Sequence, residues 1–282
     1  RGKKTNYQRY YHQWLFGRRT LSEICSHLSI SYPKLIKEFD KIYVSEGLQE
    51  DAFDNPIPRP VNLLIDATFF GREYGFLVFH DCDKVIYFKE IKTESIQEFR
   101  EGLIAIRDCG YYIIHSVTVD GRRGYINNIR KLLGNIPVQM CIFHQKAIVR
   151  RYITDRPRSE VGMKLRNIMN HLCKSNSPEL HQEFIDQFYA LKDQYHYILQ
   201  HKNSEGHYKY SNLRSAFRSI DQNMIYLFTY SDHLYQNIPP TNNHLEGLFG
   251  HLKERVKIHR GLTINRKKKA VRFLLKNFGK KF

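Results

Sequence analysis

None of the five cysteines (Cys25, Cys82, Cys109, Cys141, Cys173) belongs to a C-x-x-C pair, and their number is odd. Neither a disulfide framework nor a zinc ribbon is indicated, and a reducing compartment fits best. Long apolar runs are missing as well. Nothing approaches the roughly 20 residues needed to cross a bilayer, and no segment reads as a signal peptide. There is no internal repeat and no low-complexity tract. The chain opens on Arg1 rather than Met, which leaves an upstream region as an expectation. Acidic residues are scarce: 28 Asp+Glu stand against 45 Lys+Arg, a formal net charge of +17. An excess of that size calls for a polyanion, and nucleic acid is the usual one; a basic surface without a ligand is the alternative. Hydrophobic residues at 41% exclude a disordered chain, and 282 residues suffice for one large domain or two to three smaller ones.

What is present begins with a basic and aromatic block, "RGKKTNYQRYYHQWLFGRR". Behind it, Leu21, Ile24, Cys25 and Leu28 form one apolar helical stripe, and Leu35, Ile36 and Phe39 form another. Thr20 and Ser31 are placed to cap the two helices, and Ile30 to plug the short turn between them. That spacing is helix-turn-helix, with Ser31, Tyr32, Lys34 and Lys37 facing a major groove; an ordinary helical hairpin is the alternative. Residues 1–47 therefore read as a DNA-binding segment, and the proline-rich stretch over 48–60 as a linker.

Past the linker, "VNLLIDATFF", "YGFLVFHD" and "KVIYFKEIK" read as strands, being short, β-branched and aromatic-rich. "SIQEFREGLIAIRDCG" reads as a helix stopped at Gly110, "IIHSVTVDG" as a strand, "GYINNIRKLLG" as a helix and "VQMCIFHQ" as a last strand. The order β-β-β-α-β-α-β predicts an α/β fold with a mixed sheet, the element order of the ribonuclease-H-like fold. From Ala147 to about Leu234 only helical periodicity remains, an all-helical insertion over 147–235. The core is then 61–146 together with 236–282, closing on a helix entered through Pro239 and Pro240 with Thr241 as its cap.

Two acids finish apolar strands: Asp66 after "LLI" and Asp120 after "SVTV". A carboxylate there is costly unless a charge compensates it, and Mg²⁺ accepts one or two carboxylates. The plain alternative is that each starts a turn, for which Asp120-Gly121 is a good dipeptide. Glu246 shares a helical face with Asn242, Gly250, Lys253 and Lys257, an acid on an otherwise neutral or positive stripe. Leu245, Leu248, Leu252 and Val256 make the apolar face. Cys141 and His144 form C-x-x-H without a second pair, so half of a zinc site is the lesser reading, beside a core cysteine and a histidine at the sheet edge.

"LLIDATF", "VTVDG", "CIFHQ" and "PPTNNHLEG", in that order with a helical block before the last, resemble the Asp-Asp-Glu transposases of the Mutator-like type, including bacterial insertion-sequence enzymes. The likeness covers roughly Val61 to Leu262. It implies a ribonuclease-H-like core in which Asp66, Asp120 and Glu246 are the catalytic, metal-binding triad and Cys141 with His144 the C-x-x-H signature, His144 assisting. The expected cofactor is Mg²⁺, two ions about 3.5–4 Å apart, with Mn²⁺ as a substitute. The expected partners are double-stranded DNA, as element ends and target, and further copies of the chain in a dimeric or larger synaptic complex, with no membrane and a bacterial cytoplasmic, nucleoid-associated location. DNA contacts are expected from Tyr32, Lys34, Lys37, Arg122, Arg123, Asn243, Lys253, Lys257, Arg260, Arg266, Lys267, Lys268 and Lys269. Two other functions fit the same residues: a nuclease of this fold that cuts without joining, and a DNA-binding regulator on a dead scaffold.

Overall fold

The computed structural model describes residues 5–17, 19–45, 60–110, 113–172, 177–232, 237–259 and 261–277. The linker expected over 48–60, Pro60 apart, lies outside them, as do Arg260 and the side chain of Arg123. Three helices come first: α1 (Tyr7–Leu15), α2 (Leu21–Leu28) and α3 (Tyr32–Ser45). The strands β1 (Val61–Phe70), β2 (Tyr74–His80) and β3 (Val85–Ile91) follow, then α4 (Ile96–Asp108), β4 (Ile114–Val119), α5 (Arg123–Leu133) and β5 (Val138–Met140). Helices complete the chain: α6 (Ile142–Ile153), α7 (Glu160–Leu172), α8 (Pro178–Gln194), α9 (His196–Gln200), α10 (Ser211–Leu227), α11 (Thr229–Asp232), α12 (Asn243–Ile258) and α13 (Ile264–Asn277). The expected β-β-β-α-β-α-β succession is present.

The five strands form one mixed sheet in the order β3-β2-β1-β4-β5. β2 and β3 pair antiparallel, as a hairpin requires; β4 runs parallel to β1, and β5 parallel to β4. Parallel neighbours need a crossover, and α4 and α5 supply it. By contacts the chain divides into two units, with the boundary inside β1, between Asp66 and Ala67. This differs from the expected division, because the last two helices group with the N-terminal ones.

One unit comprises Ile57–Asp66 and Ser95–Asn243. Its helical part has its own core, in which Leu165, Met169, Phe184, Phe188, Phe217, Ile220 and Leu227 are buried together. Each such side chain contributes about 1.5–3 kcal/mol by leaving water, and Met140 of β5 is buried in the same cluster. Against β4, the ring of Phe99 on α4 stacks on Tyr125 of α5, centroids 3.9 Å apart. Among the described residues the strand-free expectation holds here except for one antiparallel bridge, Lys202 with Tyr208.

The other unit comprises Arg1–Pro56, Ala67–Glu94 and His244–Phe282. Thr20 caps α2 through a reciprocal pair: Glu23 N–H donates to Thr20 Oγ1 (3.1 Å) and Thr20 N–H to Glu23 Oε2 (2.8 Å). Ser29 closes α2 in the left-handed region, φ 50°, and three residues later α3 begins. Ile24, Leu35 and Phe39 are buried between the helices, whereas Ile30 is only half-buried. Tyr11 packs edge-on against Phe39 and against Phe273 of α13, centroids 5.0 and 4.7 Å apart. Lys269 of α13 reaches Asp40 of α3, and Arg272 reaches Glu90 of β3, which fastens the last helix to both.

Candidate active site

β1 and β4 bring the first two acids to one level. Asn62, Leu63 and Leu64 pair with Ser116, Val117 and Thr118, and the same register carried two residues further sets Asp66 opposite Asp120. Asp120 lies just past the end of β4, whereas Asp66 does not finish its strand as the sequence suggested, because β1 runs on to Phe70. Asp120 also begins a turn: its Oδ1 accepts from Arg122 N–H (3.2 Å), and its Oδ2 pairs with Arg122 Nε (3.1 Å). Gly121 must be glycine there, because its φ of +77° is left-handed and a Cβ would lie 1.8 Å from Met140 Sδ.

The strand expected over "VQMCIFHQ" is shorter than the sequence suggested. β5 pairs with β4 only over Val138–Met140, and Cys141 is already the residue before α6. His144 therefore stands in the first turn of a helix. Its Nε2 lies 3.8 Å from Asp66 Oδ2, both side chains being mostly buried. Burial alone would lower the basicity of this imidazole. A hydrogen bond with Cys141, then the electrostatic influence of Asp66, Cys141 and Asp120, outweighs it, and the pKa is pushed up to about 9.

The segment "IPPTNN" is held along the same strands. Pro239 C=O accepts from Thr118 Oγ1 (2.9 Å), Pro240 C=O accepts from Ile142 N–H (3.1 Å), and Asn237 C=O accepts from Asn62 Nδ2 (3.0 Å). Asn242 is fully buried; its backbone N–H donates to Cys141 Sγ (3.3 Å) and its Nδ2 to the carbonyl of Ile65 (3.2 Å), the residue before Asp66. Its Oδ1 has no hydrogen-bond partner. Sequence reasoning chose Asn243, which is exposed at the head of α12, rather than Asn242. α12 starts at Asn243, so Thr241 stands two residues ahead of its first turn and is not the cap.

Glu246 belongs to the unit that holds the N-terminal helices, in its last segment, His244–Phe282. It is exposed in the first turn of α12 and makes no hydrogen bond or ion pair among the described residues, while Leu245, Leu248, Phe249 and Leu252 of that helix are buried. The expected DNA contacts divide into two groups. Tyr32, Lys34 and Lys37 are exposed on α3, Lys253 and Lys257 on α12. Arg122 is engaged by Asp120, Lys268 by Glu90 (2.6 Å) and Lys269 by Asp40 (2.6 Å).

Compared with protein-family models and with curated proteins, the chain matches none.

Proposed function

We propose that the chain is a DNA transposase of the Asp-Asp-Glu class with a ribonuclease-H-like core. It cleaves DNA and transfers a strand end to a new phosphodiester, with Asp66, Asp120 and Glu246 as its acids. The observation that carries this reading is the parallel register of β1 with β4, which, carried two residues on, sets Asp66 opposite Asp120. The sheet order β3-β2-β1-β4-β5 after a β-β-β-α-β-α-β succession supports the core, and the exposed basic residues of α3 and α12 support a polyanionic partner.

The donor set suits a hard divalent cation. Two carboxylates come from adjacent parallel strands, and both add to the Cys141 hydrogen bond in raising the basicity of His144. Asp66, Asp120 and Glu246 would hold it, and bound Mg²⁺ supplies charge to the phosphate and acidity to the attacking water or hydroxyl. The chain's own residues do the rest. His144, protonated below about pH 9, places a positive charge beside Asp66 and toward a phosphate. Asn242 ties the part of β1 carrying Asp66 to Cys141, and so holds the acid's backbone still. Arg122 fixes the rotamer of Asp120 until a cation replaces it. Phosphoryl transfer needs little beyond such positioning and charge.

A strand-transfer assay with pre-cut oligonucleotide ends, a target plasmid and Mg²⁺ or Mn²⁺ is the test. Joined product in the wild type, lost in Asp66→Asn, Asp120→Asn and Glu246→Gln, is expected. Nicked product with no joined product identifies a nuclease, and DNA binding without any cleavage identifies a regulator. Undiminished joining in the three variants overturns the assignment of the acids.

A further inference from the structure

Beyond Asp66, β1 continues into a place that the chemistry above does not use. The end of β1, the turn after it, α12 and α13 line an open groove of about 470 Å³, within the roughly 300–1,000 Å³ of small-molecule sites. Its aromatic wall is Phe69, Phe70 and Tyr74. Phe69 lies flat on Gly75, where a Cβ would fall 2.6 Å from the ring, and Phe70 stacks on Tyr74 at 5.2 Å and 16°. Both phenylalanines are half-buried, so part of each ring is open to a ligand.

The remaining wall is cationic. Lys253 and Lys257, one helical turn apart on α12, and Lys267 of α13 line it, against a single carboxylate at Glu73. These three make no ion pair among the described residues, whereas the next two lysines, Lys268 and Lys269, are both paired. A third feature is polar: Tyr74 is buried, and its hydroxyl has no hydrogen-bond partner. Burial, with the charges of Glu73 and Glu90, pushes its pKa up to about 12, so it remains a donor at working pH.

Unpaired lysines would suit any DNA backbone, but open aromatic faces would not. In a duplex both faces of each base are covered by its neighbours, so only an unstacked base can reach a ring. We propose that this groove receives one unpaired nucleotide of the bound DNA, with its base on the free face of Phe70 and its phosphate among Lys253, Lys257 and Lys267. The source of that nucleotide rests on the DNA reading given above.

The test uses the full chain with two duplexes of equal length, one blunt and one with a short single-stranded overhang. 2-Aminopurine is placed at each overhang position in turn. Quenching at one position, and roughly tenfold tighter binding of the overhang duplex, are expected in the wild type. Both should vanish in Phe70→Leu, which keeps apolar volume, and Lys257→Gln should weaken both duplexes. A melting curve establishes that each variant is folded. Equal binding of the two duplexes with no quenching overturns the groove proposal and leaves DNA binding standing. Failure to bind either duplex overturns both.

Discussion

Asp120 owes its position to the residue after it. Gly121 supplies a left-handed φ and the space filled by Met140 Sδ, so Gly121→Ala meets backbone strain and collision together. We expect a loss of about 2–4 kcal/mol, from overpacking plus the left-handed penalty. Met140→Ala in the same chain should recover part of it, so that the two losses measured by urea unfolding are not additive. His144 gives a second expectation. Its folded pKa, about 9, lies above the ordinary 6.5, so the stability it contributes is fully present below about pH 6.5 and is lost as pH rises through 9. Titration of its ring by NMR in metal-free protein should show the raised value, falling in Asp66→Asn. Asn242→Ala removes the bond to Ile65 and should lower stability by about 1 kcal/mol, while the strand-transfer rate falls further than that loss explains.

At the level of elements, much was legible beforehand. The β-branched, aromatic-rich runs of β1, β2 and β3, the stop at Gly110 and the Thr20 cap follow from local chemistry that the tertiary structure does not override. β5 was not legible to its end, because "VQMCIFHQ" is a short apolar run, and periodicity cannot separate a buried strand from a buried helical turn there. Its partner decides the matter: β4 ends at Val119, so pairing stops at Met140 and Cys141 turns into α6. Nor could sequence choose between Asn242 and Asn243. Adjacent amides differ only in which way the first turn of α12 points them, about 100° apart. The two-unit grouping was hidden because the pairs of Lys269 with Asp40 and Arg272 with Glu90 join residues far apart in the chain. Element stability can be tested where burial is complete: Phe188→Ala, in the helical core of α6 to α11, should lose about 3–5 kcal/mol in thermal or urea unfolding.

For the whole molecule, charge makes the broadest prediction. With a formal excess of 17 positive charges, binding to duplex DNA should fall linearly on a plot of log affinity against log salt. Lys253→Gln and Lys257→Gln, both exposed and without ion pairs among the described residues, should each reduce that slope by about 1. Lys269→Gln should leave it nearly unchanged, because its charge is already answered by Asp40. No helix among the described residues is long and apolar enough to cross a membrane.

The bond from Ile142 N–H to Pro240 C=O ties the point where the chain departs into its helical bundle to the point where it returns. The same detour also grips the sheet from within: Val138 C=O accepts from Thr229 Oγ1, while Gln139 donates to Leu227 C=O and accepts from Tyr230 N–H. A change in these helices is therefore felt at β5, the neighbour of the strand that leads to Asp120.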